Sequence, residues 1–336
     1  MTATAPPVLP VATDRRQWLQ WAVAGGLTAA LGPVLAQAPY PSKAVRMVIP
    51  FTPGGSADIL GRAIGHELTL AWGQSVVPEN IAGAGGSIGA DRVAKAAADG
   101  HTLLMGHVGT LAITPGLYPK LPYDPLKSFT PIAWVARVPN VLVVHPSLPV
   151  KDLASFIAYA RAHPGKVNYS SGGNGSAAHM TMAYLAQQTG LDMQHVPYKG
   201  TAPAVNDLVA GQVQALFTGI PAVLGQLRAG QIKALAVSSP QRVAILPEVP
   251  TVAEAAVRGF EADQWYGVVG PAGMPPQIVA RINAQINAAL KSPAILEKLQ
   301  AEGAQPMPGS PAVFGQLIAK DLARWGKVIK DSHMTL

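Results

Sequence analysis

The stretch VRMVIPFTPGGSADILGR, residues 45–62, decides the fold. Its first half is short, apolar and β-branched, which predicts a strand over 44–51. Its second half carries Leu60, Ile64 and Leu68 at helical spacing, which predicts an amphipathic helix over 58–70. Between them lies Thr52-Pro53-Gly54-Gly55-Ser56. Glycine lets a backbone turn sharply and approach a ligand closely. Serine can cap the helix that follows. The first-turn N–H groups and the positive end of the helix dipole then favour an anion. The stretch is therefore one strand–loop–helix unit with an anion-binding character at its turn.

Working outward, the same grammar repeats along the chain. Residues 75–78 read as a strand before Gly83-Ala84-Gly85-Gly86-Ser87, and 88–98 as a helix. Residues 101–105 form a strand entering Gly106-His107-Val108-Gly109-Thr110. A long apolar run, 132–144, is interrupted by Pro139, and 167–171 leads into Gly172-Gly173-Asn174-Gly175-Ser176 and a helix over 177–188. Further strands fall at 215–217, 234–238 and 265–270, and helices at 276–300 and 311–332. Such alternation predicts α/β units on parallel sheets. Three Gly-Ser loops, at 54–58, 85–89 and 173–177, each follow a strand and open a helix, where α/β folds place ligands. None contains Lys or Arg, so recognition there would rest on backbone dipoles and hydroxyls.

Composition narrows the function. The chain has 336 residues, long enough for about two domains. It is 49% hydrophobic and 13% charged, which excludes a disordered or coiled-coil protein. It has no cysteine, so no disulfide framework, thiolate catalysis or Cys-ligated metal is available. The net charge of +7 is scattered. Lys320, Arg324, Lys327 and Lys330 fall at helical spacing and read as a solvated face. Nucleic acid is therefore not an expected partner, and attraction for small anions is the better use of the charge. At the N-terminus, Arg15-Arg16 precede an apolar stretch, 21–35, and Ala36-Gln37-Ala38. This is the plan of a signal peptide over 1–38, cut after Ala36 or Ala38, and the paired arginines fit twin-arginine export. The apolar stretch is too short to span a bilayer. A soluble protein exported out of the cytoplasm is expected.

Other motifs fit less well. Gly85-Gly86-Ser87-Ile88-Gly89 matches the G-x-S-x-G nucleophile elbow, but loop residues already precede it and no His–acid set stands out for Ser87 among His163, His179 and His195. The dinucleotide fingerprint lacks its third glycine at Ile88, and no Walker sequence is present. His179 and His195 lack metal-ligand spacing with carboxylates, so neither metal nor cofactor is expected. Tyr198-Lys199 reads as an aromatic and a cation lining a pocket rather than as a catalytic pair.

The assembled motifs resemble a known family. VRMVIPFTPGGSADILGR (45–62), PENIAGAGGSIGADRVAKAAADGHTLLMG (78–106), LYPKLPYDPLKSFTPIA (117–133), NYSSGGNGSAAHM (168–180), VPYKGTAPAVNDLVAGQV (196–213) and WYGVVGPAGMP (265–275) are similar to the tripartite tricarboxylate transporter receptors, the TctC-like or Bug extracytoplasmic solute receptors. The likeness covers essentially all of 40–332 in order. It implies a type II periplasmic-binding-protein fold: two α/β lobes, two crossover strands and a ligand between them. It implies a monomer that captures a small organic carboxylate and delivers it to a two-component, TctA/TctB-like membrane permease. It marks Phe51, Thr52, Pro53, Gly54, Gly55 and Ser56 as the first ligand loop and Gly173, Asn174, Gly175 and Ser176 as its counterpart. Ala84, Gly85, Gly86, Val108, Gly109 and Thr110 lie between, with Tyr198, Thr201 and Thr218 as wall residues. Asp58 matches the family's acidic residue; in a first helical turn it would organise the loop rather than attract an anion. The chain departs from the family's pattern at Ile81-Ala82, where a basic residue and proline are usual. It departs again at Thr218, where an acidic residue is common, and a pocket without that carboxylate tolerates negative charge better.

The expected lobes are 39–139 with 262–336, and 140–261, hinged near Pro139 and Asp263. The mechanism is binding without chemistry: a carboxylate bridging both lobes favours the closed state. Two rivals use the same segments differently, a ligand-sensing module for a membrane signalling partner and a serine hydrolase acting through Ser87.

Overall fold

The strands form two sheets, and each sheet receives one strand from the chain crossing over. The computed structural model describes residue 2 and residues 40–53, 56–118, 120–198, 201–301 and 303–331. The expected signal segment 1–38 lies outside these apart from Thr2, as do Gly54, Gly55 and Lys199. The described strands are β1 (Val45–Ile49), β2 (Val76–Asn80), β3 (Thr102–His107), β4 (Phe129–Val138), β5 (Asn140–Val144), β6 (Asn168–Ser171), β7 (Gln194–Pro197), β8 (Ala215–Gly219), β9 (Lys233–Val237), β10 (Gln264–Pro271) and β11 (Gln305–Pro306). The helices are α1 (Ser56–Trp72), α2 (Ser87–Ala94), α3 (Thr114–Leu117), α4 (Leu153–Ala162), α5 (Ala177–Thr189), α6 (Thr201–Val209), α7 (Leu224–Arg228), α8 (Val252–Ala255), α9 (Pro276–Ala289), α10 (Pro293–Ala301) and α11 (Pro311–Asp331). Residues 41–336 form one compact unit.

The first sheet has the order β11-β4-β10-β3-β1-β2 and the second β7-β6-β8-β5-β9. In the first, β1 pairs parallel with β2 and β3, whereas β10 is antiparallel to both β3 and β4. In the second, β6 pairs parallel with β7 and β8, whereas β5 is antiparallel to β8 and β9. The sheets are thus mixed and not purely parallel, because the chain crosses between them twice. Pro139 breaks the long apolar run into β4 and β5 of different sheets, and the return runs through Ala262 and Asp263 into β10. Proline offers no N–H to a ladder, so a strand shared by two sheets can end there without wasting a donor. This reciprocal exchange, with the Gly-Ser loops at the carboxyl ends of β1, β2 and β6, is the type II periplasmic-binding-protein fold.

Local chemistry accounts for most elements. Asp152 caps α4 by accepting from the Ser155 amide at 2.8 Å, and Ser176 caps α5 by accepting from the His179 amide at 3.2 Å. Two expectations change. The single helix over 276–300 is two helices, α9 and α10, because the residue before Pro293 is driven out of the helical region and Pro293 opens a new helix. Arg324 does not belong to a solvated face. It is half-buried, pairs with Asp321 at 3.1 Å and donates to the Glu261 carbonyl beside the second crossing.

One glycine is required by space alone. Gly267 sits mid-strand in β10, opposite Gly106 on β3 and Trp134 on β4. A Cβ there would overlap the buried Phe314 ring of α11 and lie 2.7 Å from the Ala133 carbonyl oxygen. Overpacking of this kind costs about 1–3 kcal/mol. Gly267→Ala should lower stability by that amount in urea unfolding; an unchanged midpoint would show that α11 does not press this closely on the sheet.

Candidate functional site

A cavity of about 490 Å³ lies where the segments after β1, β2, β3, β6 and β7 meet the end of β8 and the start of β10. Phe51, Thr52, Ser56 and Ala57 contribute from the β1–α1 turn, and Gly85 from the turn before α2. His107 ends β3 and Gly109 and Thr114 follow it, and Gly172, Asn174, Gly175, Ser176, Ala177 and Ala178 follow β6. Thr201 opens α6, and Thr218, Gln264 and Tyr266 complete the wall. The described wall holds no Lys, Arg, Asp or Glu. Its polar groups are hydroxyls, amides and main-chain N–H groups. The Ala177 and Ala178 amides in the first turn of α5 have no hydrogen-bond partner among the described residues, as expected of a helix start. A second hollow of about 820 Å³, between Leu224, Ile245 and Leu299, contains none of the Gly-Ser loops.

Each loop is held by side chains behind it. Asn80 donates both to the Phe51 carbonyl at 3.0 Å and to Asp58 Oδ1 at 2.9 Å, and Arg62 Nε donates to the same oxygen at 2.9 Å. Thr110 and Thr114 hydroxyls donate to the Gly85 carbonyl at 3.2 and 3.4 Å. On the other side, His195 Nε2 and Ser171 Oγ are 2.7 Å apart, and the Gly173 amide donates to Ser171 Oγ at 3.1 Å. His179 Nδ1 accepts from the Gly175 amide at 3.1 Å. The His179 and His195 rings stack with centroids 3.8 Å apart, and Tyr169 stacks on His195 at 5.0 Å. Burial, joined by the neighbouring His195, pushes the His179 pKa down to about 3, and burial takes His195 down to about 4. Both rings are therefore neutral near pH 7, which is what an Nδ1 acceptor requires.

The floor is a continuous hydrogen-bond chain that touches both crossings. The Gly109 amide donates to His107 Nδ1 at 3.0 Å, and His107 Nε2 meets Gln264 Oε1 at 3.2 Å. Gln264 Nε2 donates to Asn140 Oδ1 at 2.8 Å, and Asn140 Nδ2 donates to the Ala262 carbonyl at 2.9 Å. Ser238 Oγ accepts from the Asn140 amide at 2.9 Å and donates to Asp263 Oδ1 at 2.5 Å. Burial pushes the His107 pKa down to about 4, against the Gln264 bond. Burial lifts that of Asp263 to about 6, against Ser238 and Arg137.

Of the residues expected at the site, Phe51, Thr52, Ser56, Gly85, Gly109, Asn174, Gly175, Ser176, Thr201 and Thr218 stand on the wall. Gly54 and Gly55 lie outside the described residues. Several others stand off it. Pro53 and Ala84 are exposed beside the cavity, and Gly86 and Gly173 sit behind its turns. Val108 and Thr110 are packed into the core, with Tyr123 donating to the Thr110 carbonyl at 2.7 Å. Asp58 is buried and turned toward Arg62 and Asn80. Tyr198 spends its hydroxyl on Asp207 at 2.5 Å, and burial and that carboxylate push its pKa up to about 12. Wall residues absent from the sequence expectation are Ala57, His107, Thr114, Gly172, Ala177, Ala178, Gln264 and Tyr266. His107, the last residue of β3, was the one that local pattern could have marked. Ser87 has no hydrogen bond to a histidine, and no group of three or more His, Cys, Asp or Glu could hold a metal, both among the described residues. Among those residues no helix is long and apolar enough to cross a membrane.

Comparisons with known proteins agree with this geometry. The profile described as "Tripartite tricarboxylate transporter family receptor" matches residues 60–334. Protein BugT of Bordetella pertussis is 39% identical over 310 residues, covering 92% of this chain and 95% of BugT. Rhodopseudomonas palustris Rpa4515, solved with adipate, superposes with a TM-score of 0.79 at 40% identity, covering 88% of this chain and 99% of that one. MatC (Rpa3494) of the same organism, solved with bound malate, gives 0.75 at 37% identity over 86% of this chain and all of its own. A match over most of the length, on a mixed two-sheet fold with loops converging on one cavity, leaves one assignment: the chain belongs to the tripartite tricarboxylate transporter receptor family.

Proposed function

We propose that the protein is a periplasmic receptor that holds a small organic carboxylate in the 490 Å³ cavity and hands it to a two-component, TctA/TctB-like permease. The observation that carries this reading is the wall itself: helix starts from both sides of the crossings, hydroxyls, and no charged side chain among the described lining residues. A carboxylate would be held by Ser56 and Thr52 of one lobe and by Asn174, Gly175, Ser176 and Thr201 of the other. Gly85, Gly109, Thr218 and the ring of Phe51 would close around it. Hydrogen bonds to a charged group contribute about 1.5–3 kcal/mol each. Adipate in Rpa4515 and malate in MatC support a carboxylate as the class of ligand. The lobes we assign are 39–139 with 262–336, and 140–261. They would close about Pro139 and Asp263, and the ligand would favour the closed state because only that state satisfies both helix starts. No covalent step is part of the proposal, since Ser87 lacks a histidine partner among the described residues.

A melting screen against mono-, di- and tricarboxylates tests this. A bound acid at a hundredfold excess over its Kd adds about 2.7 kcal/mol, which should raise Tm by roughly 5 °C or more. Neutral sugars should leave Tm unchanged. A flat response to every acid would remove the receptor reading.

A further inference from the structure

Gln264 opens β10 directly after the second crossing and stands on the cavity wall. Its amide has a defined orientation. The Gly109 amide occupies His107 Nδ1, so the neutral ring carries its proton on Nε2 and donates to Gln264 Oε1. The Tyr266 hydroxyl donates to the same oxygen at 3.3 Å, which fills both its lone pairs. The amide nitrogen therefore faces Asn140 and donates to Oδ1. Asn140 cannot turn over, because its own nitrogen is spent on the Ala262 carbonyl and on Thr181 Oγ1 at 3.3 Å. Of Gln264's four hydrogen-bonding capacities, one N–H is left without an acceptor among the described residues. That nitrogen would lie 3.4 Å from a side chain placed at Gly219, next to Thr218 on β8. The Thr218 hydroxyl also has no partner among the described residues, and Thr218 too lines the cavity. Two unspent donors thus share one patch of wall at the crossings, on elements separate from the helix starts of α1, α5 and α6.

We infer that Gln264, oriented by His107 and Asn140 and seconded by Thr218, is a specificity-determining residue: its remaining amide N–H reads a second hydrogen-bond acceptor, carried on the end of the ligand away from the first carboxylate. The inference rests on the receptor reading above and deepens it. A saturated hydrocarbon end would leave both donors buried and unpaired, and a buried unpaired donor is penalised. A second carboxylate satisfies them, and no Asp or Glu on the described wall repels it.

The test pairs each linear dicarboxylate with the monocarboxylate of the same length: succinate with butyrate, glutarate with valerate, adipate with hexanoate. Binding to the full protein is read by calorimetry. The wild type should prefer the dicarboxylate of its best pair by tenfold or more, a comparison that involves no variant and so no question of folding. Gln264→Leu should weaken that dicarboxylate about tenfold and the monocarboxylate less than twofold. Gln264→Glu keeps the acceptor for His107 and Tyr266 but turns the donor into an anion, and should weaken the dicarboxylate more than Gln264→Leu does. Equal wild-type affinity for both partners of a pair, or equal losses for both in the variants, overturns the inference and leaves the receptor intact. A wild type that takes none of the six acids overturns the receptor reading and this inference with it.

Discussion

Gly175→Val should weaken carboxylate binding more than about a hundredfold in a calorimetric titration, while the protein still melts cooperatively within several degrees of the wild type. Gly175 has φ 72°, a left-handed conformation that a β-branched residue does not adopt without strain of about 1–3 kcal/mol. A Cβ there would also overlap Leu117 Cδ1, which follows the β3 loop of the other sheet. The left-handed strain and this crowding together should turn the backbone away, and the Gly175 amide then leaves His179. Ser176, Ala177 and Ala178 move with it, and these form one wall of the cavity. Losing two charge-assisted bonds to a carboxylate removes about 3–6 kcal/mol, and a hundredfold corresponds to about 2.8 kcal/mol. Gly190→Val is the matched control. It has the same left-handed strain, φ 66°, at the opposite end of α5, with nothing within 4 Å of a new Cβ. It should lower Tm comparably and leave affinity unchanged. If both variants bind like the wild type, the Gly175 turn is not part of the site.

Acid should destabilise the protein well before its carboxylates titrate. Burial lowers the pKa of His107 to about 4 and that of His179 to about 3, while an unfolded histidine titrates near 6.5. Below pH 6.5 the unfolded chain takes up protons that the native rings refuse, so stability falls as pH drops toward the folded values. At pH 5 this amounts to about 2 kcal/mol for each ring. Burial lowers His195 in the same direction. Asp263 opposes them: its pKa, raised to about 6, makes the native state bind a proton first, which returns about 1 kcal/mol between pH 7 and pH 5. With His195 counted beside the other two rings, the net loss of about 4–5 kcal/mol should lower Tm by about 10 °C or more between pH 7.5 and pH 5. The depressed carboxylates, Asp99, Asp152, Glu254 and Asp331, weaken the fold only at lower pH. His179→Asn, which keeps an acceptor for the Gly175 amide, should flatten the profile by about half. A Tm independent of pH over this range would mean that the rings are not buried as neutral acceptors.

Much of the cavity wall was legible because its chemistry is local. The three Gly-Ser loops lie after β1, β2 and β6, and each opens a helix, as their strand–loop–helix spacing predicts. Asp58 is likewise readable: one turn before Arg62 on α1, it pairs within its own helix at 2.9 Å and serves the loop through Asn80. Tyr198 was misleading for the opposite reason. An aromatic beside glycines suits a pocket wall, but nothing in the spacing reveals that its hydroxyl turns to Asp207. The floor was invisible. His107 and Gln264 are 157 positions apart, and Asn140 and Gln264 are 124 apart.

From the order of residues alone follow the α/β alternation, the anion-favouring turns, the crossing at Pro139 and the family to which the chain belongs. The alternation and the turns are set within about twenty residues, by backbone preference, capping and periodicity, whereas the family and its crossing strands are legible only through a likeness that runs along nearly the whole chain. Which of those turns share a hollow, which glycine faces Leu117, and which side chains carry the wall's unspent donors were settled only when β5 and β10 were inserted into the sheets. Those strands bring Asn140, Gln264 and His107 into hydrogen-bond contact from distant parts of the chain, and a directional bond between remote groups leaves no periodic trace along a sequence.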